Sequence, residues 1–298
     1  MDVLSDAVAA MRTGRPVSAR LAWHAPWGQR FATVPGAVGI QVVLRGECWL
    51  IPDTGAPTRL SPGDVLLMAH GNGYALADAP ETPLQPCSAA TPSVPDSPPP
   101  TLGTPDGVVL CGAYELQPDR VHPLIDDLPQ LVHLHAHPQL RSVIDLLNGE
   151  LERDGGGAEV GVSALLDLLF LHALRACLED RAEPTTAGWA TALRDPAIGT
   201  ALKAIHREPH RPWTVADLAA AGGLSRAPFA RRFTALTGRA PLSYLTWWRM
   251  TLAARLLRDS DAPLRVVAQR VGYASEFAFA AAFKRRFGIA PGRFRRAA

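Results

Sequence analysis

The most regular pattern of apolar and polar positions lies near the C-terminal end of the chain. Phe279, Phe283 and Phe287 recur at every fourth position, which is one face of an α-helix. Ser275 stands before this run as a cap, and Gly288 follows it as a stop. The same order occurs fifty residues earlier. Gly222, Ser225, Phe229, Phe233, Gly238, Pro241 and Tyr244 match Gly272, Ser275, Phe279, Phe283, Gly288, Pro291 and Phe294 at one offset. Each copy follows an apolar run, TVADLAAA or LRVVAQRV, so each reads as helix, glycine-containing turn and capped helix. That is the helix-turn-helix pattern. Pro228 fits it, because a missing N–H costs little in the first turn after Ser225. The apolar segment YLTWWRMTLAARLLRD links the two copies.

The N-terminal half has a different rhythm. Short alternating segments, PVSARLAWHA, VGIQVVLRG, CWLIP, TRLSPGDVLLMAHG, GYALAD and GVVLCGAYEL, are separated by Gly and Pro. They predict strands of a sheet sandwich or barrel. Ala79–Gly107 carries nine prolines and reads as an exposed, disordered loop. Two helical patterns follow, HPQLRSVIDLLNGELER and GVSALLDLLFLHALRACLED. The second is apolar around most of its circumference, at Leu165, Leu166, Leu168, Leu169, Phe170, Leu171 and Leu174. Such a helix is buried, either in its own domain or against a second subunit.

The stretch from about Asp195 to Arg296 resembles the AraC/XylS transcription regulators. The resemblance rests on WTVADLAAAGGLSRAPFARRFTALTG, WWRMTLAARLL and VAQRVGYASEFAFAAAFKRRFGIAPGRFRR. It implies two helix-turn-helix units held by one long helix, with a recognition helix in each of two successive major grooves. GECWLIPDTGAPTRLSPGDVLLMAHGNGYAL resembles the cupin sensor domains that precede such DNA-binding domains, which implies a small β-barrel with an internal pocket. The fold expected is α+β: a cupin-like β-barrel over residues 1–130, a helical connector over 131–190 and an all-α domain with two helix-turn-helix units over 191–298.

Charge supports the division independently. Residues 195–298 hold 18 Lys and Arg against 6 Asp and Glu, whereas residues 1–194 hold 12 against 22. The whole-chain charge of +2 conceals this split. A basic domain beside an acidic one is an electrostatic footprint for phosphate.

On the first recognition helix Arg226, Ala227, Ala230, Arg231 and Thr234 lie opposite the phenylalanines, and Arg231 is the residue suited to a bidentate contact with guanine. The corresponding face of the second helix is Glu276, Phe277, Ala280, Ala281 and Lys284. It carries no Arg, Asn or Gln. Ala and Phe can touch a thymine methyl and Glu276 can accept from cytosine, while Lys284, Arg285 and Arg286 in the last turn suit phosphate.

Cupin enzymes bind metal through histidines on two strands, but here Gln41 and Tyr74 stand at the two motif positions and His70 is unaccompanied. His133, His135 and His137 alternate in HLHAH, which on a strand would place them on one face. The reading adopted is the exposed edge of a connecting segment, with no metal and no cofactor. Four cysteines without a C-x-x-C pair argue against zinc and structural disulfides. Cys48, Cys87 and Cys111 are the candidates for a redox response.

No stretch reads as membrane-spanning and no apolar signal segment opens the chain, so a cytoplasmic protein is expected. The function expected is that of a sequence-specific DNA-binding transcription regulator, activator or repressor, controlled by a small-molecule effector or an oxidant. Its partners would be double-stranded DNA, RNA polymerase and a second copy in a homodimer, with no membrane. The alternative is a metal-dependent cupin enzyme fused to a DNA-binding module.

Overall fold

A computed structural model describes residues 3–11, 17–87, 103–115, 122–135, 137–152, 156–180 and 188–297. Most of the proline-rich loop expected between Ala79 and Gly107 lies outside these residues. In chain order the elements are α1 (Val3–Met11), β1 (Val17–Trp23), β2 (Gly28–Phe31), β3 (Ala37–Arg45), β4 (Cys48–Pro52), β5 (Thr58–Leu60), β6 (Val65–Met68), β7 (Tyr74–Ala77), β8 (Gln85–Pro86) and β9 (Gly107–Glu115). There follow α2 (Pro123–Asp126), β10 (Leu131–Leu134), α3 (Pro138–Glu152), α4 (Ala158–Asp180), α5 (Trp189–Arg194), α6 (Pro196–Arg207), α7 (Val215–Ala221), α8 (Arg226–Thr237), α9 (Pro241–Asp259), α10 (Leu264–Arg270), α11 (Glu276–Phe287) and α12 (Pro291–Ala297). They fall into two compact units, one built from 12–118 and 128–179, the other from 1–11, 119–127 and 180–298.

The strand unit is built from two five-stranded sheets. One has the order β1-β9-β3-β6-β10, the other β5-β4-β7-β2-β8. Period-two alternation decides what each strand offers the other sheet. From the first sheet Val43, Leu66, Met68 and Val109 point inward, and from the second Cys48, Leu50, Leu60, Tyr74 and Leu76, all in one buried cluster. The barrel expected from the sequence therefore takes the form of two sheets over a shared core.

The opposite face of β9 is covered by α4. Tyr114 packs its ring 5.3 Å from that of Phe170 and donates its hydroxyl to Asp167 at 3.1 Å. Leu166, Leu169, Phe170, Ala173 and Leu174 are buried, whereas Leu168 is 39% exposed. By length and composition α4 could cross a membrane, contrary to the expectation that no stretch would. Its fully buried stripe behaves as the core of this unit.

In the helical unit the phenylalanine stripes do what their spacing requires. Phe229, Phe233, Phe279 and Phe283 are 0% exposed. In the second half Phe279, Phe283 and Phe294 pack with Met250, Ala253, Ala254 and Leu257 of α9 and with Val267 and Ala268 of α10. Pro241 and Pro291 each open a helix at its first position, where their fixed φ is already helical.

The repeat offset is fifty after the turns but forty-nine before them. Leu224 N–H bonds the carbonyl of Ala219 and Tyr273 N–H that of Ala268, so the helix ends correspond one residue closer than the recognition helices. The left-handed turn glycine in the first copy is accordingly Gly223 (φ 70°) and not Gly222, matched with Gly272 (φ 81°) in the second. The second turn is one residue longer.

Candidate nucleic-acid interface

Each recognition helix buries its phenylalanines and turns its remaining faces outward. On α8, Arg226, Ala227, Arg231 and Thr234 are exposed and Ala230 is half-buried. On α11, Glu276, Phe277, Ala281, Lys284 and Arg285 are exposed and Ala280 is half-buried. Phe277 is 88% exposed, the most exposed large apolar side chain of the described residues. A ring so placed at the first turn of a helix gains nothing from the fold and is free to meet an apolar surface.

The neighbouring cations divide by what holds them. Arg232 forms an ion pair with the buried carboxylate of Asp195, which also caps α6 through the Ala197 and Ile198 N–H groups at 3.0 and 2.9 Å. Arg232 is therefore committed to the fold. Arg226, Arg231 and Lys284 make no hydrogen bond or ion pair among the described residues. Arg231, one position before Arg232, thus presents a full guanidinium to the outside of the repeat.

The two helix starts differ for a covalent reason. Ser275 accepts the N–H of Ala278 at 3.4 Å, closing the α11 cap. Ser225 makes no such bond. The residue three positions on from it is Pro228, which has no N–H to give. Ser225 stands at the N-cap of α8 without the capping bond that the sequence pattern suggests.

Sequence reasoning missed the residue that joins the two repeats. Arg249 of α9 donates from Nε to the carbonyl of Pro209 at 2.7 Å and from Nη2 to that of Arg211 at 2.8 Å, with its guanidinium 5.9 Å from the Tyr273 ring. It ties the approach to the first helix-turn-helix to the turn of the second. One arginine among the three of the linker, Arg249, Arg255 and Arg258, carries no sequence signal for this role.

In the strand unit the motif positions of a cupin metal site are occupied by groups unsuited to an ion. Gln41 donates its amide to the Tyr74 hydroxyl, and His70 Nε2 lies 2.9 Å from the Leu128 carbonyl. Cys111 faces Gln41 across the β3–β9 ladder. Burial holds the Cys48 thiol up at about 12, with the Asp64 carboxylate adding to the effect. Burial raises the Cys111 thiol further and lifts that of Cys87 less; Cys48 is buried, whereas Cys87 and Cys111 are partly exposed. His133 departs from the sequence reading, being part of β10, whereas His135 and His137 do stand on the segment that connects β10 to α3, with His135 exposed. His133 and His135 both face Asp64.

Comparison with known proteins joins these observations. Residues 2–179 match the family described as "Cupin", and residues 218–297 the family described as "Helix-turn-helix domain". A "Putative AraC-like transcription regulator" of Streptomyces lividans is 35% identical over 99% of this chain and 98% of its own length. A protein of the same description from Streptomyces antibioticus is 34% identical over 99% of both. The "HTH-type transcriptional regulator AlkR" of Acinetobacter baylyi is 30% identical over 85% of this chain and 86% of its own length. Relatives that are regulators across both parts support the regulator over a cupin enzyme carrying a DNA-binding module. The chain belongs to the AraC-like family of transcription regulators, with a cupin-type sensing domain followed by a double helix-turn-helix DNA-binding domain.

Proposed function

We propose that the two helix-turn-helix units divide the reading of one DNA site between them. The observation that carries this is the outward, uncommitted Arg231 on α8, whose repeat partner on α11 is Ala281. In this reading Arg231 and Arg226 address base edges, with Ala227, Ala230 and Thr234 lining the contact. Helix α11 holds phosphate through Lys284 and Arg285, and Phe277 and Ala280 meet thymine methyls. Glu276 is the acceptor available to a cytosine amine.

The cupin-type unit supplies control. Its inner face offers an amide, a phenol and a thiol at Gln41, Tyr74 and Cys111, a set suited to a small organic effector. The raised thiols of Cys48 and Cys111 favour such an effector over an oxidant acting at those residues, because the reactive species is the thiolate. The exposed apolar residues Leu146 and Leu168 support a homodimer through α3 and α4. RNA polymerase is the further partner if the protein activates transcription in the cytoplasm.

Selecting bound sites from a random duplex pool with the full-length protein tests the reading. The expected product is a bipartite motif, with one part sharply defined and the other tolerant, and affinity falling steeply as salt rises. A pool that returns no motif, or binding indifferent to salt, overturns it.

A further inference from the structure

We propose that Asp64, His133 and His135 form a binding site for one divalent transition-metal ion of the Zn²⁺ type, on the edge of the first sheet of the cupin-type unit. The register explains the convergence. β10 pairs antiparallel with β6, placing Leu134 opposite Val65 and His133 opposite Leu66. His133 therefore shares a face with Leu66, and Asp64 and His135, one residue beyond the ends of β6 and β10, come to the same place. Asp64 immediately precedes β6 and His135 immediately follows β10, so both flank the last pair of the ladder, Leu134 and Val65.

The distances suit coordination. His133 Nε2 is 3.0 Å and His135 Nδ1 3.8 Å from the same carboxylate oxygen of Asp64. One donor atom from each residue lies within 4.8 Å of the other two. Around a tetrahedral zinc with bonds of about 2.0–2.1 Å, donors stand about 3.3 Å apart. The donors of His133 and His135 stand within about 0.5 Å of that separation from Asp64. The two rings lie 4.0 Å apart between centroids, inclined by 51°.

Burial separates a ligand set from a simple hydrogen bond. A buried Asp64 carboxylate is held in place by the Ser61 N–H at 3.0 Å, and bonding to His133 alone would satisfy the structural need. His135 is different. Its side chain is 79% exposed, yet its Nδ1 is turned back toward the carboxylate. Two imidazoles and a carboxylate with an open fourth position form a donor set for Zn²⁺ and neighbouring first-row ions. The site is separate from the cupin motif positions, where Gln41, Tyr74 and His70 are otherwise engaged. An ion here would clamp β10 to the start of β6.

The test is a titration of full-length, tag-free, chelator-stripped protein with Zn²⁺ against a chromophoric competing chelator. Wild type should take up one Zn²⁺ per chain. His135→Ala removes an exposed donor without touching the core, and should weaken binding about tenfold or more, with an unchanged circular dichroism spectrum. Asp64→Asn should weaken it likewise, whereas His137→Ala should not. Co²⁺ in place of Zn²⁺ should give a visible absorption band that His135→Ala abolishes. Failure of the wild type to bind a stoichiometric ion, or equal affinity in His135→Ala, would overturn the proposal.

Discussion

His206 Nδ1 lies 3.1 Å from the carboxylate of Asp6, two hundred residues away in the chain, and its Nε2 lies 2.7 Å from the Tyr244 hydroxyl. Tyr244 is in turn 3.1 Å from His122 Nε2, while His122 Nδ1 accepts the N–H of Leu124. Only one set of protons satisfies this buried chain with both imidazoles neutral. His122 donates from Nε2 to Tyr244, Tyr244 donates to His206, and His206 donates from Nδ1 to Asp6. Helix α1 and the segment before α2 are thereby stitched to the recognition half of the helical unit.

The network gives the protein an acid limit. His122 is held well below its ordinary range, first by burial and then by His206 and Arg239 beside it. The unfolded chain takes up a proton near pH 6.5 that the folded chain refuses, so stability is full above that pH and falls as the pH drops below it. Thermal unfolding of the full chain between pH 8 and pH 5 should show this decline. His122→Asn, which keeps an acceptor for the Leu124 N–H, should start less stable and show a shallower decline. A profile in His122→Asn as steep as in the wild type would remove His122 as the cause.

The two turn glycines should respond unequally to alanine. Both have left-handed backbone, which costs an L-residue about 1–2 kcal/mol. A β-carbon on Gly223 meets open space, whereas one on Gly272 would stand 2.7 Å from Arg249 Nη2 and from the His210 carbonyl oxygen. Gly272→Ala should therefore destabilise clearly more than Gly223→Ala in denaturant titrations. It should also weaken DNA binding by displacing Arg249 from the Pro209 and Arg211 carbonyls. Equal losses would mean that backbone strain alone acts at both positions.

The cysteines should separate by rate. Burial raises all three thiols, Cys48 and Cys111 most strongly and Cys87 least. A mild alkylating reagent at neutral pH should modify Cys87 first, with Cys48 and Cys111 reacting only on unfolding. Peptide mapping of the time course reads this directly, and early modification of Cys48 would restore it as a redox candidate.

How much of this was legible in the sequence depends on the range of the interaction. Phe229, Phe233, Phe279 and Phe283 announced their helices because one buried face imposes a period that local sequence displays. The alternating strands were legible for the same reason. Helix α1 was not, since its Asp6 finds a partner only across two hundred residues. Strand β2, GQRF, is too short to carry a period. The one-residue difference between the turns was hidden because Gly222 and Gly223 are adjacent, and only φ distinguishes them. The triad of Asp64, His133 and His135 was half visible: HLHAH displayed the histidines, but the carboxylate comes from the residue before β6, which only the pairing of β6 with β10 brings near. The commitments of Arg232 to Asp195 and of Arg249 to two carbonyls are likewise long-range, and composition shows them only as positive charge.

The asymmetry between α8 and α11 yields the sharpest expectation. Arg231 is exposed and uncommitted, its neighbour Arg232 is paired with Asp195, and the repeat partner of Arg231 is Ala281. A bidentate Arg–guanine contact supplies about 1–3 kcal/mol of discrimination between bases. A phosphate contact weakens all sequences alike and changes the salt slope by about one unit. Arg231→Ala should therefore relax preference within one part of the selected site. Lys284→Ala should lower affinity uniformly and flatten the salt dependence. Arg232→Ala should lower stability, because it leaves the buried Asp195 carboxylate with its helix-cap bonds alone, and should leave base preference intact. Phe277→Ala should reduce the preference for thymine in the tolerant part only. The measurement is affinity across a panel of single base-pair variants at two salt concentrations. If Arg231→Ala leaves every preference unchanged while Arg232→Ala alters one, the assignment of the reading arginine moves by one residue along α8.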